Sequence, residues 1–144
     1  MAIAPEQLER IVAAAREVRQ RAYAPASHFL VGAAVLAKDG RVFAGCNVEN
    51  ASHGLTVCAE RNAIGAAVAA GVREVVAVAV CTDLDEPARP CGACRQVLAE
   101  FGRDMAVVLV GRNGARRDLR LSALLPDPFT FDDVARGRSG PASP

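Results

Sequence analysis

From Pro5 to about Ala22 the apolar residues Leu8, Ile11, Val12, Ala15 and Val18 recur at three- and four-residue spacing. That is the period of a helix with one buried face. Pro5 suits a first helical position, where its missing N–H would have had no intrahelical partner. Ala24-Pro25-Ala26-Ser27 breaks the pattern. The period then shortens. Leu30 to Ala37 is a continuous apolar run, Lys38-Asp39-Gly40 a hairpin turn signal, and Arg41 to Cys46 a returning strand. Asn47 to Val57 reads as a polar loop.

Cys58 to about Ala70 is Ala-rich and helical, with Gly71 as its C-cap. Glu74 to Cys81 is short and β-branched, the mark of a strand buried on both faces. Thr82 to Pro90, with three acids and two prolines, reads as a loop. Cys91 to Phe101 reads as a helix stopped by Gly102, and Met105 to Gly111 as another buried strand. Arg112-Asn113-Gly114 is a turn, Asp118 to Leu121 an edge strand, and Ser122 to Leu125 a short helix before Pro126. The order α-β-β-α-β-α-β-β-α predicts an α/β domain, a mixed sheet with helices on both faces. Residues 1–134 form one domain in this reading, and residues 135–144 (A-R-G-R-S-G-P-A-S-P) form a solvated, disordered tail.

Composition refines the picture. Of 144 residues, 51% are hydrophobic but only 4% aromatic, so Ala, Val and Leu must fill the core. A net charge of +1 leaves no electrostatic footprint for nucleic acid or an anionic membrane. The N-terminus lacks the basic-then-apolar plan of a signal peptide. The most apolar run, Val75 to Val80, is far too short to span a bilayer. A cytoplasmic location follows as the expectation, and there disulfides are rare.

Five cysteines then need another explanation. Pro90-Cys91-Gly92-Ala93-Cys94-Arg95 contains a C-x-x-C, which serves either redox chemistry or half of a zinc site. A thioredoxin-like site would follow the first strand of its βαβ unit; this one sits late in the chain. Cys58-Ala59-Glu60 opens the preceding helix in the same manner, with one strand between. Right-handed connections place both helix starts at one sheet edge, bringing three thiols together. Helix N-termini favour thiolates. Three thiolates around zinc leave one tetrahedral position open, the catalytic pattern rather than the closed structural one. The set carries one net negative charge, which Arg61 and the helix dipoles offset. Glu60, two residues after a ligand, is placed to carry protons. Cys46 and Cys81 end apolar strands and read as small buried residues. His28 and His53 read as loop histidines without a metal role. Arg112, Arg116, Arg117 and Arg120 read as a solvated face.

A C-x-E with a later P-C-x-x-C is the signature of zinc-dependent nucleobase deaminases. With R-A-Y-A-P-A-S-H-F-L-V-G-A-A-V-L from Arg21, G-C-N-V-E-N-A-S, C-A-E-R-N-A, P-C-G-A-C-R-Q and L-L-P-D-P-F, the chain resembles the short, homotetrameric cytidine deaminases. The resemblance implies a three-layer α/β/α fold with a five-stranded mixed sheet. It also implies one zinc per subunit on Cys58, Cys91 and Cys94, with Glu60 as proton shuttle and Arg61 beside the thiolates. Asn47 and Glu49 would bind the ribose 3′-hydroxyl, Phe29 would pack on the pyrimidine, and Val31 and Ala59 would line the pocket. Phe129 would reach a neighbouring subunit's site, although periodicity alone would make Phe29 and Phe129 core residues. His53 stands where relatives often have an aromatic. The implied reaction is hydrolytic deamination of cytidine and 2′-deoxycytidine in pyrimidine salvage. Another small base or nucleoside is the alternative substrate, and nucleic-acid editing is disfavoured by Cys58 and the absence of a basic stripe.

Overall fold

The computed structural model describes residues 2–138. Helix α1 (Pro5–Arg19) is followed by the hairpin β1 (Gly32–Ala37) and β2 (Val42–Cys46), then helix α2 (Ala59–Ala69). Strand β3 (Val75–Cys81), helix α3 (Gly92–Phe101) and strand β4 (Ala106–Val110) form a βαβ unit. Strand β5 (Arg116–Arg120) and helices α4 (Leu121–Leu124) and α5 (Phe131–Arg138) complete the described chain.

The five strands make one sheet in the order β2-β1-β3-β4-β5. Only β3 and β4 run parallel; the other neighbours are antiparallel. Alternate residues of each strand face opposite sides, and they divide the core in two. Val35, Val78, Val80, Val107 and Leu109 pack with Ala59, Ala63 and Leu98 on the α2/α3 face. Ala34, Leu36, Ala79, Cys81 and Val108 pack with Ile11, Val12 and Ala15 of α1 on the other. The expected sandwich of helix, mixed sheet and helix is therefore present.

Small residues set the layer spacing. A Cβ on Gly45 of β2 would lie 2.4 Å from the Ala63 nitrogen, and one on Gly32 would lie 2.0 Å from the Ala15 oxygen. Both helices thus approach the sheet closely because glycine is present. Larger side chains fill the middle: Leu98 and Leu109 are fully buried, each worth about 1.5–3 kcal/mol relative to exposure.

The elements depart from the sequence pattern at a few places. Helix α1 ends at Arg19 rather than Ala22, and a turn covers the remainder. Strand β5 starts at Arg116, two residues early, because its pairing with β4 stabilises a stretch that has only Leu119 as an apolar residue. Helix α5 has no counterpart in the sequence pattern. It continues through Arg138, so residues 135–138 are helical where the sequence reading begins a tail; residues 139–144 of that tail lie outside the described part. Thr130 explains the start of α5: its backbone N–H and hydroxyl donate to Asp133, and its carbonyl accepts the Asp133 N–H at 3.1 Å. Among the described residues no helix is long and apolar enough to cross a membrane.

Candidate metal centre and active-site cavity

Helices α2 and α3 both run antiparallel to β3, so both N-termini lie beyond the C-terminal end of that strand. Cys58 is the N-cap of α2, Cys91 is the N-cap of α3, and Cys94 lies in the first turn of α3. The three Sγ atoms all fall within 4.8 Å of one another, and those of Cys58 and Cys91 are 3.9 Å apart. Tetrahedral zinc with bonds of about 2.3 Å separates its sulfurs by about 3.8 Å, so the thiols are spaced for a metal and too far apart for a disulfide.

The local electrostatics also call for a cation. Burial pushes the Cys94 thiol far above its ordinary range, and the Glu60, Cys58 and Cys91 charges add to the rise. Burial pushes Cys91 the same way, but hydrogen bonds from the Cys94 N–H, the Cys94 thiol and the Cys58 thiol outweigh it and leave Cys91 lowered. Arg61 Nη2 donates to Cys58 Sγ at 3.6 Å and to the Thr56 carbonyl at 3.4 Å. Its buried Nε has no hydrogen-bond partner among the described residues. A guanidinium turned toward thiols rather than solvent fits a site in which those thiols are ionised. The donor set fits zinc.

Glu60 is 5% exposed. Burial raises its carboxyl above the ordinary 4.5, opposed by its own backbone N–H, the Cys94 thiol and the Arg61 charge. It opens, with Cys58, Ala59 and Cys91, onto a cavity of about 340 Å³. Phe29, Val31, Asn47 and Glu49 line the same cavity, so every substrate-contact candidate except Phe129 converges there. Cys94, fully buried, sits behind it.

Asn47 and Glu49 first serve the cavity wall. Asn47 Nδ2 donates to the Phe29 carbonyl and Oδ1 accepts the Val31 N–H, both at 2.8 Å. Glu49 Oε1 accepts from the Ala26 and Ser27 N–H groups at 2.9 and 3.2 Å, and Oε2 accepts the Ser27 hydroxyl. These bonds hold Glu49 below its ordinary 4.5, the Ser27 hydroxyl contributing most. Each side chain retains hydrogen-bonding capacity toward the cavity.

Phe129 lies elsewhere. It is 64% exposed beside Phe131 at 71%, and both line a separate groove at the C-terminal end of α3. Gln96 fixes it there by donating to its carbonyl at 2.8 Å. His28 and His53 are exposed, Cys81 is buried and Cys46 half-buried.

The loop of residues 82–90 forms the remaining wall through Thr82, Ala88 and Arg89. Arg112 staples it down. Its guanidinium donates to the Asp83 and Asp85 carboxylates and the Asp83 carbonyl, and its N–H donates to the Leu84 carbonyl at 2.7 Å. The sequence pattern treats both Thr82 and Arg112 as ordinary loop residues. Continuing the β3 alternation one step beyond Val80 would have turned Thr82 toward the thiols; nothing local marks Arg112.

Three converging thiols, a cavity at the metal position and a buried carboxyl that is not a ligand define a catalytic metal centre of the zinc-hydrolase type. The cytidine and deoxycytidylate deaminase zinc-binding region matches residues 5–110. A cytidine deaminase of Halalkalibacterium halodurans is 48% identical over 88% of this chain and 96% of its own length. One of Sporosarcina psychrophila is 44% identical over 89% and 95%. The crystal structure of cytidine deaminase from Burkholderia pseudomallei superposes with a TM-score of 0.80 at 49% identity, covering 84% of this chain and 98% of that one. The chain belongs to the cytidine and deoxycytidylate deaminase family.

Proposed function

We propose that this protein hydrolyses cytidine and 2′-deoxycytidine to the corresponding uridine nucleosides and ammonia, as a step of pyrimidine salvage in the cytoplasm. The observation that carries this reading is that the cluster of three thiols and buried Glu60 opens onto the same cavity that Asn47 and Glu49 line. Cys58, Cys91 and Cys94 hold the zinc, which when bound supplies the Lewis acidity that makes water a nucleophile at neutral pH. Asn47 and Glu49 take the ribose 3′-hydroxyl as donor and acceptor, a contact that accepts both sugars. Phe29 covers the pyrimidine, with Val31 and Ala59 as the adjoining wall.

Glu60 carries the protons. It receives one from the attacking water and delivers it to the ring nitrogen next to the amine-bearing carbon. The water oxygen bonds to that carbon, Glu60 takes the second proton from the resulting hydroxyl and passes it to the amine, and the carbon–nitrogen bond breaks to release ammonia and leave the carbonyl. Burial suits the residue to this work, because a carboxyl raised above its ordinary range holds a proton more readily between the two transfers.

Exposed Phe129, tied to α3 through Gln96, and exposed Phe131 beside it support a homotetramer in which Phe129 completes a neighbour's cavity. The test of the reaction is ammonia release with loss of cytosine absorbance by the wild type and Glu60→Gln. The expected result is a loss of about 10²–10⁴-fold in the variant with zinc content unchanged; full activity in Glu60→Gln rejects the assigned role.

A further inference from the structure

Thr82 is 3% exposed, and its hydroxyl is buried with no hydrogen-bond partner among the described residues. Such a group is unusual, since a buried hydroxyl ordinarily finds a partner. Its backbone N–H is satisfied by the Val110 carbonyl at 3.0 Å, so the strand geometry is regular up to this residue. Val78 and Val80 face α2 and α3, and Thr82 is the next residue of that alternation. It lines the cavity together with Glu60, Cys58 and Cys91.

The sheet register locates it further. Gly32 pairs with Cys46 on one side and Cys81 on the other, so Asn47, Val31 and Thr82 follow as one row across β2, β1 and β3. Two strand spacings, about 10 Å, separate the ends of this row. With the sugar at Asn47 and Glu49, the far edge of the base lies toward Thr82 and Cys91. That edge bears the amine in the substrate and a carbonyl oxygen in the product.

We infer that Thr82 is a specificity-determining residue whose hydroxyl hydrogen-bonds the exchanging 4-substituent of the pyrimidine. The inference rests on the nucleoside-deamination reading above. A hydroxyl suits this place for a chemical reason. It accepts from the amine of cytidine and, by rotating its O–H, donates to the carbonyl of uridine without moving its heavy atom. A carboxylate accepts only, and a guanidinium donates only. The unpartnered Thr82 hydroxyl is then the complement of a ligand group.

The experiment compares wild type, Thr82→Val and Thr82→Ser by calorimetric binding of uridine, cytidine kinetics and thermal unfolding. Valine keeps the shape and removes the hydroxyl, so uridine binding and kcat/KM for cytidine are expected to fall about tenfold, while the midpoint of unfolding stays level or rises. Serine keeps the hydroxyl and is expected to retain binding within about twofold. Wild-type uridine affinity and kcat/KM in Thr82→Val overturns the contact. So does a loss in Thr82→Ser as large as that in valine, or as large as expected for valine should that variant not fold. Absence of wild-type cytidine turnover would instead reject the reaction reading itself, and this contact with it.

Discussion

Glu49 shows how one side chain couples the cavity to pH. The Ser27 hydroxyl and the Ser27 and Ala26 N–H groups favour its ionised form and hold it below the ordinary 4.5. A carboxyl lowered by folding stabilises the fold above its unfolded value, and that contribution disappears as pH falls through the lower folded value. The difference in melting temperature between wild type and Glu49→Gln is therefore expected to be present at pH 7 and to shrink below about pH 4.5, which thermal unfolding across that range checks. A constant difference would show that charge is not what holds the loop. Asn47 is the uncharged counterpart: it is 8% exposed and bridges Phe29 and Val31. Asn47→Ala leaves the half-buried Val31 N–H and the Phe29 carbonyl without this partner, and is expected to cost about 1 kcal/mol in denaturant unfolding, with a raised KM. The meeting of Cys58, Cys91 and Cys94 beside Glu60 is legible in the sequence because spacing from a helix start fixes their positions. The bridging role of Asn47 was not, since it depends on where a loop 16 to 18 residues away comes to lie.

At the scale of elements, two glycines make opposite predictions. Gly45→Ala drives a methyl against the Ala63 backbone of α2 and is expected to cost about 1–3 kcal/mol. Because α2 carries Cys58 and Glu60, it should also weaken zinc retention. Gly65 lies inside α2 with nothing within 4 Å of a Cβ and no unusual backbone angle. Gly65→Ala is expected to stabilise by about 0.5–1 kcal/mol; thermal unfolding and metal analysis of the pair decide both. The buried strands were readable because β3 and β4 are covered on both sides and so are continuously apolar. Strand β5 and helix α5 were less so. The first takes its structure from pairing with β4, and the second begins at a Thr130–Asp133 capping interaction inside a polar stretch.

For the whole molecule, the zinc joins Cys58 at the start of one helix to Cys91 and Cys94 at the start of another, Cys58 and Cys91 being 33 residues apart in sequence. A ligand that binds only the folded chain stabilises it by mass action, about 2.7 kcal/mol at a hundredfold excess over its dissociation constant. Chelation is expected to lower the melting temperature of the wild type and leave that of Cys91→Ser nearly unmoved. The proposed tetramer makes a separate prediction: Phe129→Ala is expected to sediment as smaller species with lower activity, and a fully active monomer would contradict it. The Arg112 staple has a further consequence, for descent. The chemistry stands on helix starts anchored to the sheet, while much of the recognition wall is a loop pinned by Arg112 at Asp83 and Asp85 and by Arg95 at the Pro90 carbonyl. Substitutions at Ala88 and Arg89 can therefore accumulate without disturbing the thiols behind them. Lineages built on this plan are free to exchange one nucleoside for another while inheriting the same catalytic core.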